Sequence, residues 1–124
     1  MSNVTNVKAK RFTDGTAAST TAVAAAQTLG GAGNLTLAGG ATGFAGTNMA
    51  QKITLTSGGN ISAVTFTITG TDADGTSQSE DITGPNANTV ASTKYYASVT
   101  QIAASAAVGT NTSAGYNTSQ AGIV

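Results

Sequence analysis

The clearest pattern of hydrophobic and polar positions is the string VTFTITGTDADGTSQSEDIT in the middle of the chain. Val64, Phe66 and Ile68 alternate with threonines, so an extended chain would carry apolar side chains on one face and hydroxyls on the other. This period of two predicts a half-buried antiparallel strand. Asp74-Gly75 predicts a tight primed turn with positive φ angles, after which a more polar strand returns to a Gly-Pro stop. The string therefore predicts a β-hairpin.

Short strand-like segments separated by glycine, asparagine and serine recur along the rest of the chain. Residues 35–37 and 52–56 alternate apolar and polar side chains, and residues 94–102 form the next predicted strand. The apolar residues of that strand do not all fall on one face, which predicts a bulge or burial on both faces. Residues 109–124 are rich in Thr, Asn and Gly and predict a tail with at most a short edge strand at its end, residues 122–124. The predicted fold class is all-β: an antiparallel β-sandwich or barrel-like body with an extended N-terminal arm.

The N-terminal quarter differs from the remainder because it is rich in Ala, Thr and Gly and has few residues able to anchor a core. We therefore expect residues 1–33 to form a flexible N-terminal arm and residues 34–124 to form a β-rich body. A short helix over residues 17–27 is an alternative for part of the arm, since alanine is the best helix former. Its β-branched residues and its lack of an apolar stripe argue against that helix.

Composition limits the core and the kinds of partner. Only 8% of the residues are charged, the formal net charge is zero, and the 40% hydrophobic fraction includes many alanines. A modest core of this kind would gain stability by burying surface against copies of itself or against a larger partner. Near-neutral charge argues against nucleic acid as the main partner. The chain has no apolar run long enough for a membrane span and no apolar signal-peptide core at its start, so we expect a soluble protein made in the cytoplasm.

Catalytic chemistry is poorly represented in the sequence. The chain has no His and no Cys, which removes the usual general base, nucleophile and transition-metal ligands. Asp72 and Asp74, followed by Glu80, match part of an EF-hand calcium loop, but the oxygen ligands are too few and the spacing is too short. A solvated hairpin tip is the expectation, and cation binding there is left open. We predict no enzyme activity, no cofactor and no metal site.

The candidate partner-binding residues fall into two groups. One is a basic segment of the arm that includes a phenylalanine able to insert into an apolar groove. The other is a strand segment with two adjacent tyrosines, a residue type favoured at interfaces. Ordinary strand packing is the alternative for the tyrosines, and a solvated tail is the alternative for the basic segment. The residues are Lys8, Lys10, Arg11 and Phe12 in the first group and Lys94, Tyr95 and Tyr96 in the second.

Three strings taken together resemble small structural proteins of tailed bacteriophages: AAAQTLGGAGNLTLAGG, ITLTSGGNISAVTFTITGTDADGTSQSEDITGP and TVASTKYYASVTQIAASAAVGT. The resemblance covers nearly the whole chain after residue 24 and lies in the order of the hairpin, its Gly-Pro stop and the following Lys-Tyr-Tyr strand. It includes no catalytic signature. It implies a β-rich accessory protein of the virion.

Within that group the resemblance is greatest to capsid decoration, or cement, proteins. It implies binding to the outside of the major capsid protein lattice as a homo-oligomer, with a trimer favoured, and a place on the capsid surface of the virion. No nucleic acid and no membrane is expected as a partner. The alternatives are a tail or neck component, such as a tube, adaptor or fibre base, and a host-attachment module that binds carbohydrate.

Overall fold

The computed structural model of the chain describes residues 18–38 and 49–122. These residues form strands and connecting loops and include no helix, hence none that could cross a membrane. The strands are β1 (Ser19–Leu29), β2 (Gly33–Asn34), β3 (Met49–Ser57), β4 (Thr65–Thr71), β5 (Ser77–Thr83), β6 (Thr89–Tyr96), β7 (Ser98–Ala104) and β8 (Val108–Gly122). The predicted all-β class is confirmed.

The eight strands form two antiparallel sheets that pack against each other as a β-sandwich. Sheet A has the order β1-β8-β3-β6, and sheet B has the order β2-β7-β4-β5. Both sheets contribute to one apolar core, with Ile53 and Leu55 from sheet A and Phe66, Ile68 and Ile102 from sheet B completely buried. Burial of these alternating positions is the main favourable term for the fold.

The central hairpin is confirmed, and its ladder is the most regular in the molecule. Strands β4 and β5 pair over seven consecutive positions with no register shift, and β5 ends just before the Gly-Pro pair. The predicted turn was wrong in detail, because Gly75 has a φ of 85° whereas Asp74 does not have a positive φ. Asp72 closes a longer loop instead: its Oδ1 accepts from the main-chain N–H groups of Asp74 at 2.9 Å and Thr76 at 3.0 Å. The N–H of Gly75 also donates to the carbonyl oxygen of Asp72 at 3.0 Å, so a positive φ is needed at Gly75 alone and not at Asp74.

The predicted strand over residues 94–102 is in fact two strands in different sheets. Strand β6 ends at Tyr96 in sheet A, Ala97 is a bend, and β7 begins at Ser98 in sheet B. The predicted bulge is confirmed, since Thr69 pairs with Gln101 while the next β4 residue pairs with Val99, leaving an extra residue in β7. A chain that changes sheets buries side chains on both of its faces, which explains the broken alternation.

The predicted boundary between arm and body at residue 33 differs from the structure. Residues 19–29 form β1, which pairs with β8 along sheet A, and residues 33–34 form β2 on the edge of sheet B. The alternative helix over residues 17–27 is also wrong for the residues that lie in β1. Val23 and Ala24 are completely buried, so a segment of small side chains is held by pairing and packing rather than by propensity. Residues 1–17 lie outside the described part.

The prediction of at most a short edge strand for residues 109–124 was wrong as well. Strand β8 runs from Val108 to Gly122 and lies between β1 and β3 in the middle of sheet A. Gly115 is required there, because a Cβ at this position would lie 1.8 Å from the carbonyl oxygen of Ser19. The absent side chain lets the start of β1 cross closely over β8.

Candidate interaction surfaces

The predicted partner-binding residues fall partly outside the described residues. Lys8, Lys10, Arg11 and Phe12 belong to residues 1–17, so their predicted role stays a prediction. Lys94, Tyr95 and Tyr96 all lie at the end of β6, the edge strand of sheet A.

Tyr95 and Lys52 form a patch on sheet A, which we call the Tyr95 patch. Lys52 pairs with Tyr95 across β3 and β6, and its Nζ lies 5.4 Å from the centre of the tyrosine ring, a cation–π distance. Both side chains are half-buried. Lys94 does not belong to the patch, because its Nζ donates to the carbonyl oxygen of Ser79 in β5. A partly exposed aromatic ring beside a cationic group is the kind of anchor that protein interfaces favour.

Tyr96 does not belong to this patch, which corrects the predicted surface position of that residue. Its side chain is completely buried in the core. Its hydroxyl lies 3.3 Å from the carbonyl oxygen of Ile68 and 3.4 Å from Oε1 of Glu80, to which it can donate. Burial raises the pKa of the Tyr96 hydroxyl well above its ordinary value, and the negative charge of Glu80 and the hydrogen bond to it add to the rise.

Glu80 joins the two sheets at the side where edge strands β5 and β6 approach each other. Its carboxylate accepts hydrogen bonds from the main-chain N–H groups of Thr93 at 2.9 Å and Lys94 at 2.8 Å. In return, Lys94 Nζ donates to the carbonyl oxygen of Ser79 at 2.8 Å. Gln78 Nε2 donates to the carbonyl oxygen of Tyr95 at 2.6 Å. We call this set of bonds the β5–β6 seam.

The seam was missed by the sequence reasoning, although a signal for it exists. The side chains of β5 alternate between exposed and half-buried, and Glu80 occupies a half-buried position in phase with Ile82. A carboxylate on the inward phase of a strand needs partners, because burying a charge without hydrogen bonds is strongly unfavourable. The alternation of β5 in the sequence is therefore enough to predict that the Glu80 carboxylate accepts hydrogen bonds.

The opposite side of the sandwich is closed by a different set of bonds. The side chain of Gln27 in β1 accepts a hydrogen bond from the main-chain N–H of Thr36 at 2.8 Å and donates one to the carbonyl oxygen of Thr36 at 3.0 Å. Close by, the N–H of Ala38 donates to the carbonyl oxygen of Val23 at 2.7 Å. The segment after β2 therefore covers part of the β1 edge, and covering an edge reduces unwanted strand pairing.

The outer face of sheet B carries rows of short polar side chains, and we call it the hydroxyl face. Thr67 Oγ1 donates to Asp81 Oδ1 at 2.7 Å, and the hydroxyls of Thr71 and Ser98 lie 2.6 Å apart. These bonds run between neighbouring strands and fix the orientation of the side chains. The face comprises Thr65, Thr67, Thr69, Thr71, Ser77, Ser79, Asp81, Thr83, Ser98, Gln101 and Ala103.

Three of the four acidic residues of the hairpin act as acceptors for nearby groups of the chain. Asp72 caps its own loop, Glu80 binds main-chain groups of β6, and Asp81 binds a threonine hydroxyl. Within residues 18–38 and 49–122, no group of three or more acidic, His or Cys side chains could hold a metal ion. These acceptor roles account for three of the four carboxylates, and Asp74 is exposed at the hairpin tip.

An open pocket of about 480 Å³ lies beside the start of β1. Its lining is uncharged and includes Ser19, Thr89 and Asn117. Thr54, which also lines the pocket, is 5% exposed and its hydroxyl has no hydrogen-bond partner. The lining offers hydrogen bonds to neutral groups and provides no acid or base.

No family model, no curated protein and no solved structure matches the chain.

Proposed function

We propose that the chain is a bacteriophage capsid decoration protein that binds the outside of the major capsid protein lattice through its hydroxyl face. The observation that carries the proposal is the regularity of the β4–β5 part of that face. Strands β4 and β5 pair without a register shift, whereas every ladder of sheet A contains at least one. A regular, weakly charged sheet face is suited to lie flat against a repeating surface.

The side chains of the hydroxyl face are suited to binding because little freedom remains for them to lose. Threonine is branched at Cβ and restricted at χ1, and Thr67 and Thr71 are already held by hydrogen bonds to neighbouring strands. Association loses overall translational and rotational freedom and also side-chain freedom, so a face that is ordered in advance needs fewer contacts to bind. Many copies on one lattice raise the effective concentration of each contact.

The resemblance of the sequence to tailed-phage virion proteins supports the same proposal, as does the use of the hairpin carboxylates as internal hydrogen-bond acceptors. In this account residues 1–17, the part of the predicted arm that lies before β1, add contacts to neighbouring capsomers, and the protein resides on the capsid surface. The predicted trimer and the arm contacts are further parts of the proposal.

A matched pair of variants tests the hydroxyl face. Thr69→Lys places a long cation at a half-buried position in the middle of the face, whereas Thr28→Lys places it at an exposed position of β1 in sheet A. We expect the wild type and Thr28→Lys to co-sediment with purified capsid shells of the encoding virus. Thr69→Lys should bind at least about tenfold more weakly, because the interface would bury an unpaired charge. A wild type that does not bind shells, or equal binding by both variants, contradicts the proposal.

A further inference from the structure

The open pocket beside the start of β1 lies on the outer face of sheet A. Thr54 lines this pocket and stands between Ile53 and Leu55, which belong to the core, so its side chain points away from the core. A residue on an uncovered outer face would be exposed, whereas Thr54 is buried. The outer face of sheet A is therefore covered at this point.

The cover is the start of β1, which crosses over the sheet. Gly115 of β8 pairs with Thr54, and the carbonyl oxygen of Ser19 lies so close to Gly115 that it leaves no room for a Cβ. The ladder pairs at Ser19 and Ala24 are five residues apart in β1 and two residues apart in β8. The extra residues of β1 let its start leave the plane of the sheet, and the pocket is the space beside this crossing.

The chain that precedes β1 starts at the wall of the pocket, because Ala18 is one of the lining residues. Residues 13–16 read Thr-Asp-Gly-Thr, which predicts a two-residue primed turn. The side-chain cap that lengthens the loop after Asp72 is not available here, since the residue two positions before Asp14 is Phe12. The sequence therefore predicts that the chain folds back just before the pocket.

This turn brings Phe12 to the side of the chain that lines the pocket. It pairs Phe12 with Ala17, and cross-strand partners share a face. Ala17 and Ser19 also share a face of an extended chain, and Ser19 lines the pocket. Phe12 is the largest apolar side chain of residues 1–17, and the lining carries no charge. The pocket therefore suits the phenyl ring better than the basic side chains that precede it.

We propose that residues 12–17 fold back against the outer face of sheet A and that Phe12 occupies the pocket beside β1. Burial of the ring is favourable, and a volume of about 480 Å³ is sufficient for it. The contact goes beyond the proposed function, since it lies within one copy and requires no capsid. It leaves the basic residues Lys8, Lys10 and Arg11 free to contact a lattice.

NMR of the full chain tests the position of Phe12 directly. We expect nuclear Overhauser effects from the ring protons of Phe12 to the methyl groups of Thr54 and Thr89, which line the pocket from β3 and β6. In a mixture of isotope-labelled and unlabelled chains, these effects should stay within one chain. Their absence would overturn the proposal. Effects between chains would overturn it as well, because a second copy would then supply the occupant.

A double-mutant cycle tests whether the ring and the turn form one contact. Phe12→Ala should raise the equilibrium constant for unfolding about tenfold, because a buried phenyl ring is lost, and Phe12→Leu should restore most of the stability. Gly15→Val opposes the positive φ of the turn and should also raise the constant. The double variant with Phe12→Ala should then show less than the product of the two effects, since both changes remove the same contact.

Val7→Ala is the control for these substitutions, because it removes apolar volume from the same segment outside the turn. It should leave the equilibrium constant for unfolding unchanged. Equal effects of Phe12→Ala and Val7→Ala, or independent effects of Phe12→Ala and Gly15→Val, would overturn the proposal. Because no capsid is present, none of these results bears on binding to shells.

Discussion

The carboxylate of Glu80 in sheet B accepts a hydrogen bond from the main-chain N–H of Thr93 in sheet A at 2.9 Å. The two residues belong to edge strands of different sheets, so the bond closes one open side of the sandwich. The second oxygen of the same carboxylate accepts the N–H of Lys94 at 2.8 Å. One side chain thereby satisfies two main-chain donors of β6 near the point where its pairing with β3 is irregular.

Replacing Glu80 by alanine should lower the free energy of unfolding by about 2 to 3 kcal/mol, since hydrogen bonds to charged groups are stronger than neutral ones and two N–H groups lose their acceptor. Urea denaturation measures this change. Asp81→Ala is the matched control, because Asp81 is the neighbouring acid and binds one exposed threonine hydroxyl. We expect a loss below about 1 kcal/mol for the control. Equal losses in the two variants would refute the role of the β5–β6 seam.

Gly115→Ala should destabilise the protein because its Cβ would lie 1.8 Å from the carbonyl oxygen of Ser19. Overpacking against main-chain atoms forces the start of β1 to move, and we expect a loss of about 1 to 3 kcal/mol in denaturant unfolding. Gly109→Ala is the control in the same strand, where a Cβ meets no atom within 4 Å. Equal stability of the two variants would mean that β1 does not cross β8 as described.

Two buried threonines should respond to valine substitution with opposite signs. The Thr54 hydroxyl is buried without a hydrogen-bond partner, so Thr54→Val removes an unsatisfied polar group and should raise the free energy of unfolding by up to about 1 kcal/mol. Thr112 is completely buried and its hydroxyl donates to the carbonyl oxygen of Thr110 at 3.0 Å. Thr112→Val should therefore lower stability by about 1 kcal/mol. Thermal or urea unfolding of both variants distinguishes this account from one in which the two hydroxyls are equivalent.

The Tyr96 hydroxyl should make stability depend on pH in the alkaline range. The pKa of Tyr96 is raised in the folded chain, so the folded state holds its proton more tightly than the unfolded state. The resulting stability is fully present below about pH 10, the ordinary pKa of tyrosine, and decreases as the pH rises further. Tyr96→Phe lacks this contribution, so the stability difference between wild type and variant should shrink above about pH 10. A difference that stays constant from about pH 8 to 11 would contradict the burial of this hydroxyl.

The parts of the fold that the sequence predicted are those with large alternating side chains. Phe66 and Ile68 in β4, and Ile53 and Leu55 in β3, mark one buried face each, and both strands lie where the pattern places them. Strands β1 and β8 carry small side chains such as Ala24, whose contribution to periodicity is weak. Their pairing depends on contacts between distant segments of the chain, which a local pattern does not contain.

The interaction surfaces were predicted less completely than the fold. The sequence pointed to the Lys-Tyr-Tyr segment as a contact surface. In the structure, Tyr95 lies at the surface and Tyr96 lies in the core. The alternation does not reveal this difference, because the chain changes sheets at Ala97. The threonines of β4 were recognised as a polar face, whereas their bonds to neighbouring strands require the register. Lys52 was not predicted at all, because its position over the Tyr95 ring follows from the pairing of β3 with β6.

The central claim, that the chain decorates a bacteriophage capsid, is tested most directly by electron cryomicroscopy of purified particles of the phage that the proposal requires to encode it. The account predicts density for the β-sandwich on the outside of the capsid, in many copies, with the strands β4, β5 and β7 of sheet B facing the major capsid protein. Particles that lack the chain, or that carry it with sheet B turned away from the lattice, would contradict the account.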